Sequence, residues 1–174
     1  MKDDILFFEN QPFWRNWIAL IAIISVNLLF IGGFIGQVFF GIPWGNNPMS
    51  NSGLIITTGF TLLLAALLFV RQQTVITHEG IYVRYFPLDF KTRFFAWDDI
   101  REAYVRKYSP TKEFGGWGFR YHFNTKKGIA YNVSGSIGLQ LVLKKGKKVL
   151  IGTNKWIELE EVLAKNGLIG KSTN

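Results

Sequence analysis

The 174-residue chain contains no cysteine and only two histidines, His78 and His122. The absence of cysteine excludes disulfides, thiolate catalysis and cysteine-ligated zinc or iron–sulfur sites. The two histidines fall on separate predicted strands without a defined ligand cluster, so we expect neither a metal site nor a cofactor. The length allows one ordinary domain, or a small domain with a membrane anchor, and rules out a large multidomain enzyme.

Charged side chains are missing from residues 16–70 but occur throughout the rest of the chain. A soluble core rarely tolerates such segregation, which is typical of membrane-spanning segments. The formal net charge is +8, and residues 71–174 alone hold 18 basic and 9 acidic side chains, a net of +9. The basic character therefore belongs to the C-terminal part of the chain.

Two uncharged apolar runs predict a transmembrane helical hairpin. Residues 17–40 would rise about 36 Å as a helix and residues 53–70 about 27 Å, against a hydrocarbon core of roughly 30 Å. Residues 41–52 are rich in proline, glycine and asparagine and predict a turn outside the bilayer. A cleaved signal peptide is rejected, because residues 1–16 are acidic and the first run is too long.

The distribution of lysine and arginine predicts the orientation of this hairpin. The loop between the helices has no basic residue, whereas Arg15, Arg71 and Arg84 flank the opposite ends. Basic flanks favour the cytoplasmic side. We therefore expect a two-pass protein of the cytoplasmic membrane, with an extracytoplasmic loop and with both the N-terminal segment and the domain of residues 71–174 in the cytoplasm.

Small residues at regular spacing predict close packing of the two helices. We favour packing within one chain, although a Gly-x-x-x-Gly motif also leaves a homo-oligomer open. Asn27, near the middle of the first span, is expected to hydrogen-bond Thr58 or Thr61 rather than to line a transport path. The predicted helix-packing residues are Ser25, Gly32, Gly36, Gly53, Thr57, Thr61 and Ala65.

From residue 71 onward the apolar period changes to two, which predicts strands punctuated by turns. One amphipathic helix, residues 154–166, follows and is expected to end at Asn166–Gly167. Successive antiparallel strands followed by one helix predict a curved sheet or open β barrel capped by that helix, and thus an α+β protein. The eight predicted strands are residues 74–78, 81–86, 92–97, 101–108, 117–123, 128–134, 137–144 and 147–152.

Several stretches of this region resemble known proteins. The strand end Phe95-Ala-Trp-Asp-Asp-Ile100, and the strand from Lys147 to Thr153 leading into a Glu-rich helix, are similar to the bacterial pleckstrin-homology-like (PH-like) domains. The segments Glu113–Arg120 and Ala130–Gln140 resemble a family of small bacterial membrane proteins with two N-terminal transmembrane helices before such a domain. The resemblance implies this fold, which has seven strands, and a bacterial membrane setting, but no reaction.

No arrangement of residues predicts catalysis. Asp98 and Asp99 are adjacent and would point to opposite faces of a strand, so they cannot act as a carboxylate pair. The glycine-rich Gly115–Gly118 lacks the Gly-Lys-Ser/Thr ending of a phosphate-binding loop. The alternative that remains open is a membrane-bound enzyme, in which the side chains of four residues converge on one sheet face: Arg120, His122, Asn132 and Ser134.

Basic hairpin tips give the main functional hypothesis. Facing the inner leaflet, each lysine would contribute about 1 kcal/mol of attraction to anionic lipid, although a solvated turn is an equally good interpretation. We predict a non-catalytic, membrane-anchored PH-like binding module at the cytoplasmic face, which docks a protein partner or anionic lipid headgroups. A hairpin subunit of a larger membrane complex is a further alternative, and membrane tethering argues against nucleic acid. The binding residues are predicted to be Lys126, Lys127, Lys144, Lys145, Lys147 and Lys148.

Overall fold

The computed structural model describes residues 4–87, 91–121 and 128–168. These residues form an α+β protein with two apolar helices near the N-terminus, followed by β-sheets and a C-terminal helix. The chain divides into two compact units: a helical unit, Asn16–Phe69, and a β unit that combines the residues up to Arg15 with those from Val70 onward. The α+β class predicted from the sequence is confirmed.

The helical unit contains two helices, α1 (Trp17–Phe34) and α2 (Asn51–Ala65). A π-helical turn, Ile35–Phe39, extends the first, and a 3-10 turn, Ala66–Phe69, extends the second. The resulting helices of 23 and 19 residues are long and apolar enough to cross a membrane. Their bounds agree closely with the two predicted spans.

Helix packing in this unit uses more polar side chains than predicted. Asn27, Gly33 and Gln37 of the first helix are buried, and so are Thr58 and Thr61 of the second. The predicted bond from Asn27 to Thr58 or Thr61 is wrong, because Asn27 Nδ2 donates to the Ile23 carbonyl of its own helix at 2.8 Å. An asparagine in a helix can donate to a carbonyl of its own preceding turn in this way, while Asn27 Oδ1 is buried without a hydrogen-bond partner among the described residues.

The predicted small residues do not lie on one common buried face. Of these seven, only Thr61 is buried, and Ser25 and Gly32 are exposed. A Cβ on Gly32 or Gly36 would meet open space, whereas a Cβ on Gly33 would collide with the Trp44 ring. Glycine is therefore required at Gly33, one position after the predicted Gly32, because the Trp44 ring of the interhelical loop packs against the helix there. The remaining predicted residues, Gly36, Gly53, Thr57 and Ala65, are partly exposed.

The β unit contains two sheets. The first sheet has the order β1-β2-β3-β4, and the second has the order β5-β8-β9-β7-β6. All eight predicted strands are present, with ends shifted by up to three residues, and the C-terminal helix is α4 (Trp156–Lys165). The strands are β1 (Ile5–Pro12), β2 (Arg71–Thr77), β3 (Gly80–Phe86), β4 (Arg93–Ala96), β5 (Ile100–Lys107), β6 (Gly118–Tyr121), β7 (Ile129–Asn132), β8 (Ile137–Leu143) and β9 (Lys148–Gly152).

Strand β1 was not predicted, because the sequence suggested only a short N-terminal segment before the first span. It pairs antiparallel with β2 from Ile5↔Thr77 to Pro12↔Arg71. Beyond the last pair, Phe13 N donates to the Val70 carbonyl at 2.7 Å. The helical hairpin is therefore inserted between two neighbouring strands, and the chain leaves and re-enters the sheet at adjacent points.

A cluster of buried polar groups, here called the polar junction, joins β1 to the second sheet and to the start of α4. The Gly152 carbonyl accepts from Gln11 Nε2 at 2.8 Å and from Gln72 Nε2 at 3.1 Å. The Glu9 carboxylate accepts from Thr153 Oγ1 at 2.6 Å and from Asn154 N at 2.9 Å. Because a buried carboxylate is destabilising unless it is hydrogen-bonded, these contacts fix β1 in place.

One strand pair corrects the predicted succession of antiparallel strands. β7 pairs with β9 in parallel, with Ile129 opposite Val149 and Tyr131 opposite Ile151. All four residues of β7 are buried, as expected for a parallel strand covered on both faces. Apolar alternation carries no information about strand order, so this pairing could not be read from the pattern.

The region predicted as a long loop, residues 109–116, contains a short helix, α3 (Pro110–Phe114). Ser109 caps it by accepting from Lys112 N, Pro110 occupies the first turn, and Gly115 ends it in the left-handed conformation at φ 71°. Proline at the start and glycine at the end of a helix are the usual arrangement. The segment between β5 and β8 thus holds α3 and the hairpin of β6 and β7.

The main core lies between the two sheets and α4. No sheet is closed on itself over residues 4–87, 91–121 and 128–168, so the predicted PH-like barrel stays a prediction. A smaller cluster on the other face of the second sheet contains Tyr108, Phe114, Ala130 and Leu150. The main core contains Phe7, Val70, Ile76, Ile81, Val83, Tyr85, Ala103, Ile129, Tyr131, Val133, Leu139, Leu141, Val149, Ile151, Leu159 and Leu163.

The position of β1 predicts the outcome of removing the helical hairpin. Because Phe13 and Val70 are hydrogen-bonded neighbours, a two-residue Asn-Gly turn can replace residues 14–69. We expect this protein to be soluble and to unfold cooperatively. Residues 71–174 alone lack the buried Phe7 and the polar junction and should be less stable by about 3 kcal/mol or more. Thermal and urea unfolding followed by circular dichroism measure both, and equal stabilities would contradict the placement of β1.

Two glycines with similar backbone angles provide a matched test of the parallel pairing. Gly128 has φ 77° and a Cβ there would collide with the Lys148 carbonyl, whereas Gly146 has φ 80° and open space around it. Gly146→Ala should cost about 1 kcal/mol from backbone strain alone. Gly128→Ala should cost about 2 kcal/mol more, because β7 must move away from β9. Urea unfolding of the two variants measures the difference, and equal costs would argue against this close approach.

Candidate functional site

The β unit carries a cleft of about 410 Å³ on the outer face of the second sheet, beside α3. This volume lies in the range of small-ligand sites. Three elements of the second sheet and one helix supply its walls: β5, β8, β9 and α3. The cleft, here called the cationic cleft, is lined by Tyr104, Arg106, Lys112, Glu113, Phe114, Gln140 and Lys148.

Arg106 is the fixed cation of this cleft. Its Nε donates to Gln140 Oε1 at 3.0 Å, and its Nη2 donates to Glu113 Oε2 at 2.8 Å. Gln140 is itself buried and donates from Nε2 to the Leu141 and Val149 carbonyls, both at 3.1 Å. The guanidinium is thus oriented by side chains of two other elements, which is the arrangement that preorganises a binding group.

Glu113 links the cleft to the start of α3. One carboxylate oxygen accepts from Arg106, and the other accepts from Ser109 N at 2.8 Å. The helix also anchors itself through Phe114, whose ring packs edge-on against Tyr108 with the centroids 6.0 Å apart. The helix therefore holds one wall of the cleft against the outer face of the second sheet.

The cleft has an excess of positive charge. Arg106, Lys112 and Lys148 face a single carboxylate, Glu113, so the formal charge of the lining is +2. The side chains of Lys112 and Lys148 are exposed and make no hydrogen bond to another described residue. One hydrogen-bonded guanidinium and two exposed ammonium groups are suited to an anionic ligand with several oxygens, such as a carboxylate pair or a phosphoryl group.

The lysine tip predicted from the sequence overlaps this cleft in one residue. Lys144, Lys145, Lys147 and Lys148 surround the exposed turn between β8 and β9, and of these only Lys148 lines the cleft. Gly152 of the polar junction lies at the other end of β9, about 13 Å along the strand from Lys148. The second predicted tip, Lys126 and Lys127, lies outside the described residues.

The residues of the enzyme hypothesis do not form a described cleft. Asn132 is fully buried and its Oδ1 accepts from Gly118 N at 2.9 Å. Ser134 Oγ accepts from Asn154 Nδ2 at 3.0 Å. Both side chains thus hold loops and strands together, while the side chain of Arg120 and all of His122 lie outside the described residues. In the part of the chain that the structure describes, no group of three histidine, aspartate or glutamate side chains could hold a metal ion.

Tyr108 connects the smaller cluster to the buried Asn132. Burial raises the pKa of Tyr108 to about 12, Asn132 and Arg106 act to lower it, and Glu113 acts to raise it. The Tyr108 hydroxyl and Asn132 Nδ2 are both buried without a hydrogen-bond partner among the described residues. This hydroxyl is therefore a weak point of an otherwise well-satisfied region, since an unsatisfied buried hydroxyl is destabilising.

Tyr108→Phe tests this assignment through the pH dependence of stability. The fold favours the neutral phenol, so its contribution is complete below the ordinary pKa of 10 and is lost as pH rises toward 12. The natural chain should lose about 2 kcal/mol of unfolding free energy over this interval relative to the variant. At pH 7 the two proteins should differ by less than about 1 kcal/mol. Urea unfolding at several pH values measures both, and parallel pH profiles would contradict the assignment.

The sequence did not reveal most of the cleft. Tyr104 and Arg106 alternate on one strand, which is a detectable pattern, but their neighbour Gln140 lies on a strand more than thirty residues away. Lys112 and Glu113 fell in a region interpreted as a loop. Comparison of the sequence with protein-family models finds no match, and comparison with curated proteins finds none either. The functional argument therefore depends on the geometry of the chain itself.

Proposed function

We propose that this chain is a non-catalytic, membrane-anchored binding module at the cytoplasmic face, with a PH-like β unit that docks an acidic segment of a partner protein. The observation that carries the proposal is the cationic cleft, in which Arg106 is oriented by Gln140 and Glu113 while Lys112 and Lys148 remain open. A hydrogen-bonded arginine together with two exposed lysines can bind anionic groups without any need for a reactive side chain.

The strand count supports the PH-like assignment when the segment between β5 and β8 is treated as an insertion into that fold. Without the segment that holds α3, β6 and β7, the β unit has four strands in the first sheet and β5, β8 and β9 in the second, followed by α4. The total of seven strands and one terminal helix is the same as in the PH-like domains that the sequence resembles. The inserted segment supplies Lys112, Glu113 and Phe114, so in this proposal the binding cleft is an addition to the common fold.

The cationic cleft lies away from the strand ends at which the chain leaves for the helical hairpin. The chain leaves for the helical hairpin beside Gln11 and Gln72, which contact Gly152. Lys148 and the lysine tip lie at the opposite end of β9 from Gly152. The cleft is therefore separated along β9 from the points at which the chain leaves the sheet, and the proposal assigns it to a protein ligand.

Binding of a defined acidic probe tests the proposal. We suggest a fluorescent peptide of ten glutamates, titrated by polarisation against the full chain in nanodiscs of zwitterionic lipid. Lys112→Glu and Lys148→Glu should each weaken binding about fivefold or more, because one attraction is lost and one repulsion is gained. Binding should also weaken with salt, as expected for exposed charges.

Lys165→Glu is the matched control, because it makes the same change in net charge on the exposed end of α4, outside the cleft. It should leave the affinity nearly unchanged. If all three reversals weakened binding equally, the interaction would follow net charge alone and the cleft would not be a site. A protein partner retained by residues 16–69 alone would favour the alternative of a hairpin subunit in a larger complex.

A further inference from the structure

The outer face of the first sheet carries exposed aromatic side chains in register. Phe8, Val75, Tyr82 and Phe94 lie opposite one another across the four strands. Phe8 is 49% exposed and Phe94 is 46% exposed, and the rings of Tyr82 and Phe94 are 4.5 Å apart. Aromatic side chains on the outer face of a sheet are unusual without a covering partner, since such patches mark interaction sites.

Two arginines lie on the same face, closer to the points where the chain leaves the sheet. Arg71 and Arg84 both stack on the Phe86 ring, with guanidinium carbons 5.5 Å and 5.1 Å from its centroid. Arg84 Nε is buried without a hydrogen-bond acceptor in the described part of the chain. The cluster therefore has hydrogen-bonding capacity that the described residues do not use, and guanidinium groups bind phosphate oxygens well.

Among the described residues, the strands of this face present arginine but no acidic side chain outward. The side chains that β1 to β4 present outward include no aspartate or glutamate, because Glu9 points inward to the polar junction. The Glu79 carboxylate, in the turn between β2 and β3, accepts from the Tyr82 hydroxyl at 3.4 Å. The face therefore combines aromatic rings with two arginines and has one carboxylate, Glu79, in a turn at its edge, which suits a surface that is both apolar and anionic.

The covalent connection limits how far this face can be from lipid. Arg71 follows two residues after Phe69, the last residue of the second apolar helix, so the chain between them spans at most about 7 Å. The row of Phe8 and Val75 lies four residues further along β2, or about 14 Å. All the aromatic and basic side chains of this face are thus within reach of the interface that the helices enter.

We propose that the outer face of the first sheet docks on the anionic leaflet, with Phe8, Tyr82 and Phe94 at the level of the headgroups and with Arg71 and Arg84 on lipid phosphates. Aromatic rings favour this interfacial zone, and each arginine adds electrostatic attraction to anionic lipid. The inference depends on the membrane anchoring proposed above and is independent of the cationic cleft. It would leave the opposite, outer face of the second sheet open to the cytoplasm.

The absence of cysteine allows single-cysteine spin labelling of the full chain. Labels at Asn10→Cys and Phe94→Cys report on the proposed docking face, and a label at Thr111→Cys, on exposed α3, reports on the opposite face. In proteoliposomes with anionic lipid, dissolved oxygen should relax the first two labels more strongly than a water-soluble nickel chelate does. The label at residue 111 should show the reverse. A label at residue 94 that stays in water in these vesicles would overturn the proposal.

Charge variants test the role of the arginines. Arg71→Gln and Arg84→Gln, measured with the label at Asn10→Cys, should each lower the ratio of docked to undocked protein about fivefold in anionic vesicles. Lys107→Gln combined with Lys165→Gln removes two charges outside both the docking face and the cationic cleft, and should leave the ratio unchanged. Unchanged mobility of a label at residue 111 checks that the variants remain folded. Docking that is equal in zwitterionic and anionic vesicles would overturn the electrostatic part, whatever the outcome of peptide binding at the cleft.

Discussion

The structure depends on the attachment of β1 by buried hydrogen bonds rather than by apolar burial alone. β1 turns Phe7, Glu9 and Gln11 inward, so only one of its three inward side chains is apolar. Glu9 is 4% exposed and accepts from Thr153 and Asn154, and Gln11 donates to the Gly152 carbonyl. Each of these groups would be costly to bury unpaired, so β1 fits in one register only, the one that satisfies them all.

That attachment determines how an apolar hairpin is accommodated within a β unit. Because Pro12 pairs with Arg71 and Phe13 bonds to Val70, the two ends of the inserted segment are neighbours in the sheet. The insertion therefore interrupts no strand and leaves every ladder hydrogen bond of β1 and β2 in place. The same geometry keeps Arg71, and with it Phe86 and Arg84, at the end of the sheet where the apolar helices begin. The pairing of β1 with β2 thus determines both the contacts of the polar junction and the position of the proposed lipid-binding face.

The sequence predicted those parts of the fold that depend on local period. Alternation of apolar residues found eight strands, the helical period with Asn166–Gly167 found α4, and the uncharged tract found both apolar helices. β1 was missed because its inward positions include Glu9 and Gln11, which break the apolar alternation that identifies a strand. The parallel pairing of β7 with β9 was missed because strand order is a tertiary property. α3 was hidden because five residues carry too little periodic signal.

The candidate site was less predictable than the fold for a related reason. Of the described lysines that the sequence singled out as binding residues, only Lys148 lines the cleft. Arg106 was overlooked because its importance comes from Gln140, which lies opposite Tyr104 on the adjacent strand, and from Glu113 on α3. Side chains that form a site only by contacting one another across strands cannot be recognised from a local sequence pattern. Clusters of like charge are easily recognised in the sequence, even where they are only solvated turns.

The described polar side chains of the enzyme hypothesis and those of the cationic cleft are used in different ways. Asn132 and Ser134, the described members of the enzyme hypothesis, use their side-chain oxygens to accept from Gly118 N and Asn154 Nδ2. A nucleophile must instead have its oxygen open to substrate and bonded to a base. In the cationic cleft the situation is reversed, since Lys112 and Lys148 are open to solvent and Arg106 is held by neutral and acidic partners that orient it without activating it. Such a site can attract and orient an anion.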